Sequence, residues 1–469
     1  MGPGALGFSV MLACAANADV NITPAVTLQA IGTDNLRKTA SNQESDAVLQ
    51  SAGSVQVSAD TLKLKLLGTA SLMYDAFAQN SDLNELTGSA LANAIVTVVP
   101  GFLALDGSAQ VSDQFLNVLD QSATGLPNGG PQNRITNLQA GAAITSKLSD
   151  VADVKLRGSI ATVQSDPIGN APSTATLRDA VSYAGSVLIT NGDRSRNAVW
   201  RLSASVLQEH RQDTQDFQTA DATASISVRV TPRVHAVMRG GYEDISGIGL
   251  SDISDAVWGG GFIYDVGDVS QISAEWGHRF GRDSWSGNMD LRLSNRLGLN
   301  ASYSERIESQ QGRLSRQLGD LFDLSNSLPT PTLPDQTTPG QSLIDDTFYV
   351  KDALLSIDYV GISQKFTLAG RYNEREFTVL PQGDRTAGLT FSYSEVLLKD
   401  LVFGLSGSYD TVLDSTLGSS NGDRIVGSGL LSFKLGANAS ANFQYTWSRT
   451  SAIADVTENV ASAAVTHSF

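Results

Sequence analysis

The groups that could do covalent chemistry in this chain are few. Its 469 residues hold four histidines, His210, His235, His278 and His467, and a single cysteine, Cys14. None of the histidines stands in an H-E-x-x-H pattern, no second cysteine exists to share a metal, and neither a G-x-S-x-G elbow nor a phosphate-binding glycine loop occurs. The residues therefore assign no catalytic group, metal site or cofactor. The nearest approach to an acid–base pair is Glu209-His210, since a carboxylate beside an imidazole suits proton transfer. The plainer reading makes both part of a solvated loop edge, in the polar stretch EHRQDTQDFQ.

A second set of candidates is basic: Lys63, Lys65, Lys155, Arg157, Arg201, Arg229, Arg239, Arg279, Arg292 and Arg371. Each falls on the polar phase of a segment whose residues alternate between apolar and polar. Glu243, Glu275 and Asp290 share that phase. Opposed charges on neighbouring strands would stiffen a wall by ion pairing. A basic lining would instead favour acidic sugars or other anions, as charged rings do in selective pores. The two readings are compatible.

Alternation with a period of two is the mark of strands, and it fills the chain beyond Asp19. In LKLKLLGTASLMYDAF, Leu62, Leu64, Leu66, Ala70, Leu72 and Tyr74 share one face, and Lys63, Lys65, Thr69 and Ser71 share the other. NASANFQYTWSRT sets Ala439, Ala441, Phe443, Tyr445 and Trp447 against Ser440, Asn442, Gln444, Thr446 and Ser448. The connections alternate in length. Tight ones rich in Gly, Pro, Asp and Asn fall near 58–61, 99–101, 149–153, 231–233, 266–268, 360–363, 398–400 and 436–438. Longer polar ones lie between them, and the longest spans 310–346.

Short turns on one side and long loops on the other describe a transmembrane antiparallel up-and-down β-barrel of the outer-membrane kind. The fold class is therefore all-β, with about 22 strands; merging a hairpin within 84–117 or 177–211 would give 20. An even count returns the last strand to the periplasmic side on which the first begins. One face then meets lipid and the other the lumen, with every backbone group paired to a neighbour. Trp200, Trp276, Tyr242, Tyr303, Tyr359, Phe403, Tyr409 and Trp447 fall on the apolar face, mostly near strand ends, where interfacial aromatics belong. His278 lies on that face too, near the outer rim. Some outer-membrane barrels are hydrolases with a His and an acid at the outer rim, which is the context that gives Glu209-His210 its interest.

Composition agrees. Charged residues make up 17% of the chain, below the quarter usual for soluble domains. A net charge of −16 argues against a nucleic-acid partner, and no apolar run long enough for a membrane-crossing helix occurs beyond the N-terminus. Residues 1–18 read as a secretory signal peptide, with an apolar stretch from Ala5 to Ala15 and an A-x-A site at Ala16-Asn17-Ala18, although the usual basic start is missing. Residues 19–469 form one barrel domain, left without cysteine after cleavage. Transporters of this strand number that depend on TonB carry a large N-terminal plug, and a first strand so close to the signal argues against that class. In the long loop, GRLSRQLGDLFDLSNSL places Leu314, Leu318, Leu321 and Leu328 near helical spacing, as for a short helix over or in the mouth. Gly319 and the prolines at 329, 331, 334 and 339 favour a mobile extracellular loop instead.

The chain ends VASAAVTHSF, with Val465 and Phe469 in phase on the apolar side. A terminal strand closing on an aromatic is the address by which the barrel-assembly machinery takes up such proteins, although His467 and the small Ala461 and Ala463 depart from the commonest form. The expected partners are this machinery, outer-membrane lipid and lipopolysaccharide.

Two further stretches are more specific. VRVTPRVHAVMRGGYEDI is followed by GDVSQISAEWGHRFGRDSWSGNMDLRLSNRLGLNASYSERIE. Together they resemble the outer-membrane β-barrel family associated with PEP-CTERM/exosortase systems, with its TPR…GYED hairpin and closing SYSE strand. ITPAVTLQAIGTDNLRK and FLALDGSAQVSDQ resemble its opening and fifth strands; Trp276, His278 and the Pro-rich loop depart from its pattern. The resemblance implies a channel or scaffold in exopolysaccharide export, with polysaccharide-export components as partners. A general diffusion porin for small anionic solutes is the rival expectation, and an outer-membrane enzyme a third.

Overall fold

The computed structural model describes residues 20–469 outside the segments 116–125, 127–131, 169–176, 193–197, 213–214, 248–251, 321–345, 379–382, 415–421 and 452–453. Twenty-two antiparallel strands form one closed sheet. In chain order they begin with β1 (Asn21–Thr33), β2 (Asp46–Asp60), β3 (Leu64–Phe77), β4 (Glu85–Val99), β5 (Leu103–Phe115), β6 (Gln132–Ser149), β7 (Ala152–Ile168) and β8 (Ala180–Asn191). The middle of the wall is β9 (Ala198–Arg211), β10 (Phe217–Thr231), β11 (Val234–Ser246), β12 (Ile253–Gly267), β13 (Ser270–Arg279), β14 (Arg282–Arg292) and β15 (Leu297–Ser309). A helix, α1 (Gln310–Asp320), precedes β16 (Thr347–Val360), β17 (Gln364–Phe377), β18 (Gly383–Leu398), β19 (Leu401–Asp414), β20 (Gly422–Lys434), β21 (Ala439–Ser451) and β22 (Asp455–Ser468).

Each strand pairs with its sequence neighbours, and β22 pairs with β1 to close the cylinder, from Ala25↔Ser468 to Thr33↔Val460. Beyond that ladder the Phe469 amide donates to the Pro24 carbonyl at 2.9 Å, and the Thr27 and Thr466 hydroxyls meet inside the seam at 2.9 Å. No edge strand is left to face lipid, as a spanning sheet requires. β4 and β5, like β8 and β9, are separate strands, so the larger of the two expected counts holds.

The inner connections are tight, none longer than the six residues 192–197. They carry apolar side chains at their tips, with Leu62 97% and Ile362 93% exposed on the outward phase. Most outer connections are longer, but Phe280 and Gly281 alone join β13 to β14, and only three residues, 452–454, separate β21 from β22. Phe280 and Gly281 have positive φ, 59° and 68°, the geometry of a two-residue hairpin turn whose twist matches its strands. Lys63 is not on the wall: it lies in the inner turn between β2 and β3, because β2 runs to Asp60 and β3 begins at Leu64.

The outward phase is largely apolar over the middle of the strands, and on several of them aromatics gather at the inner and outer levels. Toward the inner edge Phe366 meets Phe391 at 5.4 Å and Phe433 meets Phe443 at 6.1 Å between ring centroids. Toward the outer edge Trp258, Trp276 and Trp285 form a chain of ring contacts at 5.4 and 6.2 Å. His278 stacks on Trp258 there and bonds Asp255 at 2.9 Å, an interfacial position as its phase predicts. Two residues further out the same face turns charged, as in Tyr242/Asp244, Trp285/Asp283, Tyr303/Glu305, Tyr372/Glu374 and Trp447/Arg449. That switch marks where hydrocarbon gives way to head groups.

Candidate functional site: the barrel lumen

The inward phase is polar, and its exposure is sorted by depth. On β7 it runs from exposed Lys155 near the inner end to buried Ala161, Val163 and Ser165; on β9 from exposed Arg201 to buried Glu209 and Arg211; on β17 from exposed Lys365 to buried Asn373 and Arg375. Among the described residues the lumen is therefore open toward the periplasm and filled toward the outside.

Part of the filling is α1. Its start is capped by Ser309, whose Oγ accepts the Gly312 amide at 2.9 Å and donates to Glu209 at 2.7 Å. Asn137 on β6 donates to the Leu314 carbonyl at 2.9 Å, and the Leu314 side chain completes an apolar cluster with Ile135, Val163 and Leu177. Gln310 accepts from Arg375, which also bonds Asp384 at 2.5 Å and lies between the Phe348 and Phe377 rings. Glu308 gathers three guanidiniums: Arg316 at 2.9 Å, Arg306 at 3.1 Å and Arg313 at 3.9 Å. Burial pushes Arg313 down to about 10 against the opposing pull of Glu308, so it keeps its charge at neutral pH. The loop beginning at 310 thus opens with a helix folded into the mouth, where the prolines had favoured a mobile segment. Leu321 and Leu328 lie outside the described residues, as does the side chain of Leu318.

The basic residues divide into two groups. Arg157 bonds Asp106 through two contacts of 2.8 and 2.6 Å, Arg239 pairs with Glu275 at 2.8 Å, Arg371 pairs with Asp410, and Arg279 reaches Glu243 at 3.4 Å. Glu243 also accepts the Phe280 amide of the short hairpin, so its role is to hold that turn. By contrast, Lys65, Lys155, Arg201 and Arg292 have no carboxylate within ion-pair distance among the described residues, and Arg229 bonds only the Pro232 carbonyl, at 3.0 Å. All five lie toward the inner ends of their strands. Asp60, Asp153, Asp290 and Asp358 share that vestibule, so it is mixed in sign, with unpaired bases within it.

Three of the ion pairs share a construction that the sequence does not disclose. Each joins strands two apart across a strand that presents glycine. Arg371 and Asp410 flank Gly388 in register. Asp106 faces Gly141 while Arg157 reaches over it, and Arg239 and Glu275 face Gly259 and Gly261. The bridged strands are β6, β12 and β18. A methyl at Gly388 would stand 2.7 Å from both Arg371 Nε and Asp410 Oδ1; at Gly141 it would stand 2.9 Å from Asp106 Oδ2. Gly388→Val should therefore part the pair and lower stability by roughly 3–5 kcal/mol, the cost of separating a buried charge from its partner. The denaturant midpoint of the folded band in heat-modifiable gel mobility reads this, and an unchanged midpoint would refute it. The one local sign in the sequence was a glycine in polar phase at mid-strand. Asp106 and Asp410 gain their roles only through the register of strands two apart, whereas Glu308 draws Arg306, Arg313 and Arg316 from within eight residues once α1 folds back on it.

Glu209 and His210 point to opposite faces of β9. Glu209 is fully buried in the lumen beside Arg211 at 3.2 Å, whereas His210 faces outward to Asp216 at 2.6 Å and the edge of Tyr183. They cannot act on one substrate atom, and Glu209 is no solvated loop residue.

By sequence the chain matches no protein-family model and no curated protein. By structure it is similar to the FrpB iron transporter from Neisseria meningitidis in its apoprotein form, at 10% identity and a TM-score of 0.53, over 98% of this chain and 83% of that one. It is also similar to the siderophore receptor PirA from Pseudomonas aeruginosa, at 9% identity and a TM-score of 0.51, over 96% and 80%. A variant of the ferric enterobactin receptor from the same bacterium, in complex with enterobactin, matches at 8% identity and 0.51, over 95% and 81%. At such identities the likeness carries the fold. Porins have 16–18 strands, so the porin comparison drawn from sequence extends only to a barrel that encloses a lumen. The chain is an integral β-barrel of the Gram-negative outer membrane, built on the 22-stranded architecture of receptor and transporter barrels.

Proposed function

We propose that this barrel is an outer-membrane conduit or scaffold for export of an extracellular polysaccharide, entered from the periplasm. The observation that carries the reading is the asymmetry of the lumen. Unpaired Lys65, Lys155, Arg201 and Arg292 stand at the open inner end, and α1 fills the outer end. Cargo arriving from inside meets free cationic groups first, which suits an acidic glycan. The sequence resemblance to barrels of exopolysaccharide gene clusters supports the same direction, and polysaccharide-export components would be the partners. A diffusion channel for small anions is the rival reading, favoured by the same bases without the polymer. The outer-membrane enzyme has lost its candidate pair.

Reversal potentials in planar bilayers test the lining. Anion preference is expected, and it should weaken in Lys155→Glu and Arg292→Glu, which break no ion pair. Cation preference in the parent protein would overturn the reading. A deletion strain separates the two cargoes: polysaccharide retained in the periplasm supports export, and unchanged surface polysaccharide leaves only the anion channel.

A further inference from the structure

The outer end of one sector is turned into the lumen. Along a wall strand, burial alternates with the two faces, yet Thr347, Phe348, Tyr349 and Val350 at the top of β16 are all buried. Ile307 and Tyr349 share the phase of Tyr303 and Tyr359. They nevertheless pack with Leu207, Phe217, Ile245 and Ile253, which belong to the lumen phase of β9 to β12. Polar contacts repeat the pattern. Arg211 donates to the Thr347 hydroxyl at 3.0 Å, and Ser309 donates to Glu209. Arg282, on the lumen phase of β14, reaches Glu376 at 2.9 Å and stands 4.2 Å from the centre of the Tyr349 ring. The tops of β15 and β16 therefore lie inside the neighbouring wall. The sheet is cut to allow it: the β14–β15 ladder stops at Gly287↔Tyr303, although β14 starts at Arg282 and β15 runs to Ser309.

We propose that the outer end of the β15–β16 hairpin is a gate, which opens the conduit by swinging out of the lumen and completing the ladder with β14. The two edges are matched. Continuing the same register sets Trp285 against Glu305, Asp283 against Ile307 and Arg282 against Glu308. The last pair exchanges the contact of Arg282 with Glu376 for a carboxylate directly opposite it in the ladder. A strand edge is a ready template for another strand, and here the two edges already run side by side up to the cut. On completion Ile307 and Tyr349 join the outer face of the wall, the phase their apolar character fits. The contacts given up are those with Glu209, Arg211 and the Phe217–Ile245 cluster, and α1, which begins at Gln310, is carried along. Each arrangement satisfies the same segment with a different set of partners, which is the condition for a two-state element. The gate deepens the conduit reading and rests on it only for a lumen that conducts, whatever the cargo.

The test is a disulfide across a pairing that only the open form makes. Asp283→Cys and Ile307→Cys are combined on a Cys14→Ser background, and the folded barrel is oxidised in detergent and recorded in planar bilayers. Directly opposed residues bring their Cβ atoms to about 4.5–5.5 Å, near enough for a disulfide after a small adjustment. Oxidation should remove both thiols from reaction with maleimide and raise conductance at least several-fold, reductant should reverse both changes, and neither single variant should respond. Thiols that stay free in the folded barrel, or a cross-linked barrel that conducts like its reduced form, would overturn the gate. If that pair does not fold, Ser284→Cys with Arg306→Cys, also opposed in the continued register, serves with the same outcomes. The lining is judged apart from the gate: a cross-linked barrel of raised conductance and cation preference supports the gate and overturns the basic-lining reading.

Discussion

Replacing residues 310–346 with a short Gly-Asn turn is expected to raise single-channel conductance at least several-fold. Ser309 and Thr347 are already register partners at the top of β15 and β16, so a tight turn closes that hairpin without moving either strand. What leaves is the helix that covers Asn137 and Glu308 and completes the cluster of Ile135, Val163 and Leu177. A barrel of this strand number encloses more space than its own side chains fill, so removing the filling opens a water path. The closed arrangement is also costly to hold. The Nε and Nη1 of buried Arg313 have no hydrogen-bond partner among the described residues, and such a group costs about 1–3 kcal/mol. Planar-bilayer recordings decide the matter, with the unheated gel band confirming a folded barrel. Conductance equal to the parent's would mean that α1 does not limit the pore.

Loss of Phe469 should cripple membrane assembly while leaving the lumen's properties intact in whatever fraction inserts. The side chain is 68% exposed on the lipid face, in phase with Val465, and its ring meets His467 edge-on at 4.6 Å. Its amide supplies the last bond of the seam, to Pro24. An aromatic so open adds little to packing, so the expectation that it is an assembly address predicts an effect on insertion rather than on the finished wall. Phe469→Ser keeps the backbone bond and removes the ring, whereas deletion removes both. A marked drop in outer-membrane yield is expected for both, slightly larger for the deletion. Normal yields of heat-modifiable protein from either would show that this terminus is no assembly signal.

The wall was legible because its rules are local. Alternation, turn chemistry and parity gave the strand number, the two faces, the aromatic levels and the terminal seam, and each depends on residues a few places apart. The same local rules misled where geometry overrode them. Length alone would assign the connection at Phe280-Gly281 to the inner side, yet it is an outer turn. The inner turn at 293–296, LSNR, does not stand among the tight connections read from the sequence. What the sequence withheld was partnership. Arg157, Arg239 and Arg371 looked like Lys155 and Arg292, and only the register of strands two apart separates those that are neutralised from those that are free. The fate of α1 depends on groups on β6, β9 and β17, none of them near it in the chain.

The apolar tips of the inner turns bear on how the barrel lives with bilayers of different thickness. Leu62 and Ile362 end their strands in side chains that belong in the hydrocarbon boundary, so sinking or raising the inner rim would carry greasy groups into water or polar backbone into oil. The outer rim is compliant, since aromatic and charged residues alternate there and long side chains can bend toward water. Mismatch should therefore be absorbed on one side only. A thicker bilayer would draw lipid up around the charged outward residues such as Asp244, Asp283 and Arg449, while the inner mouth keeps its depth and its bases stay level with the periplasmic surface.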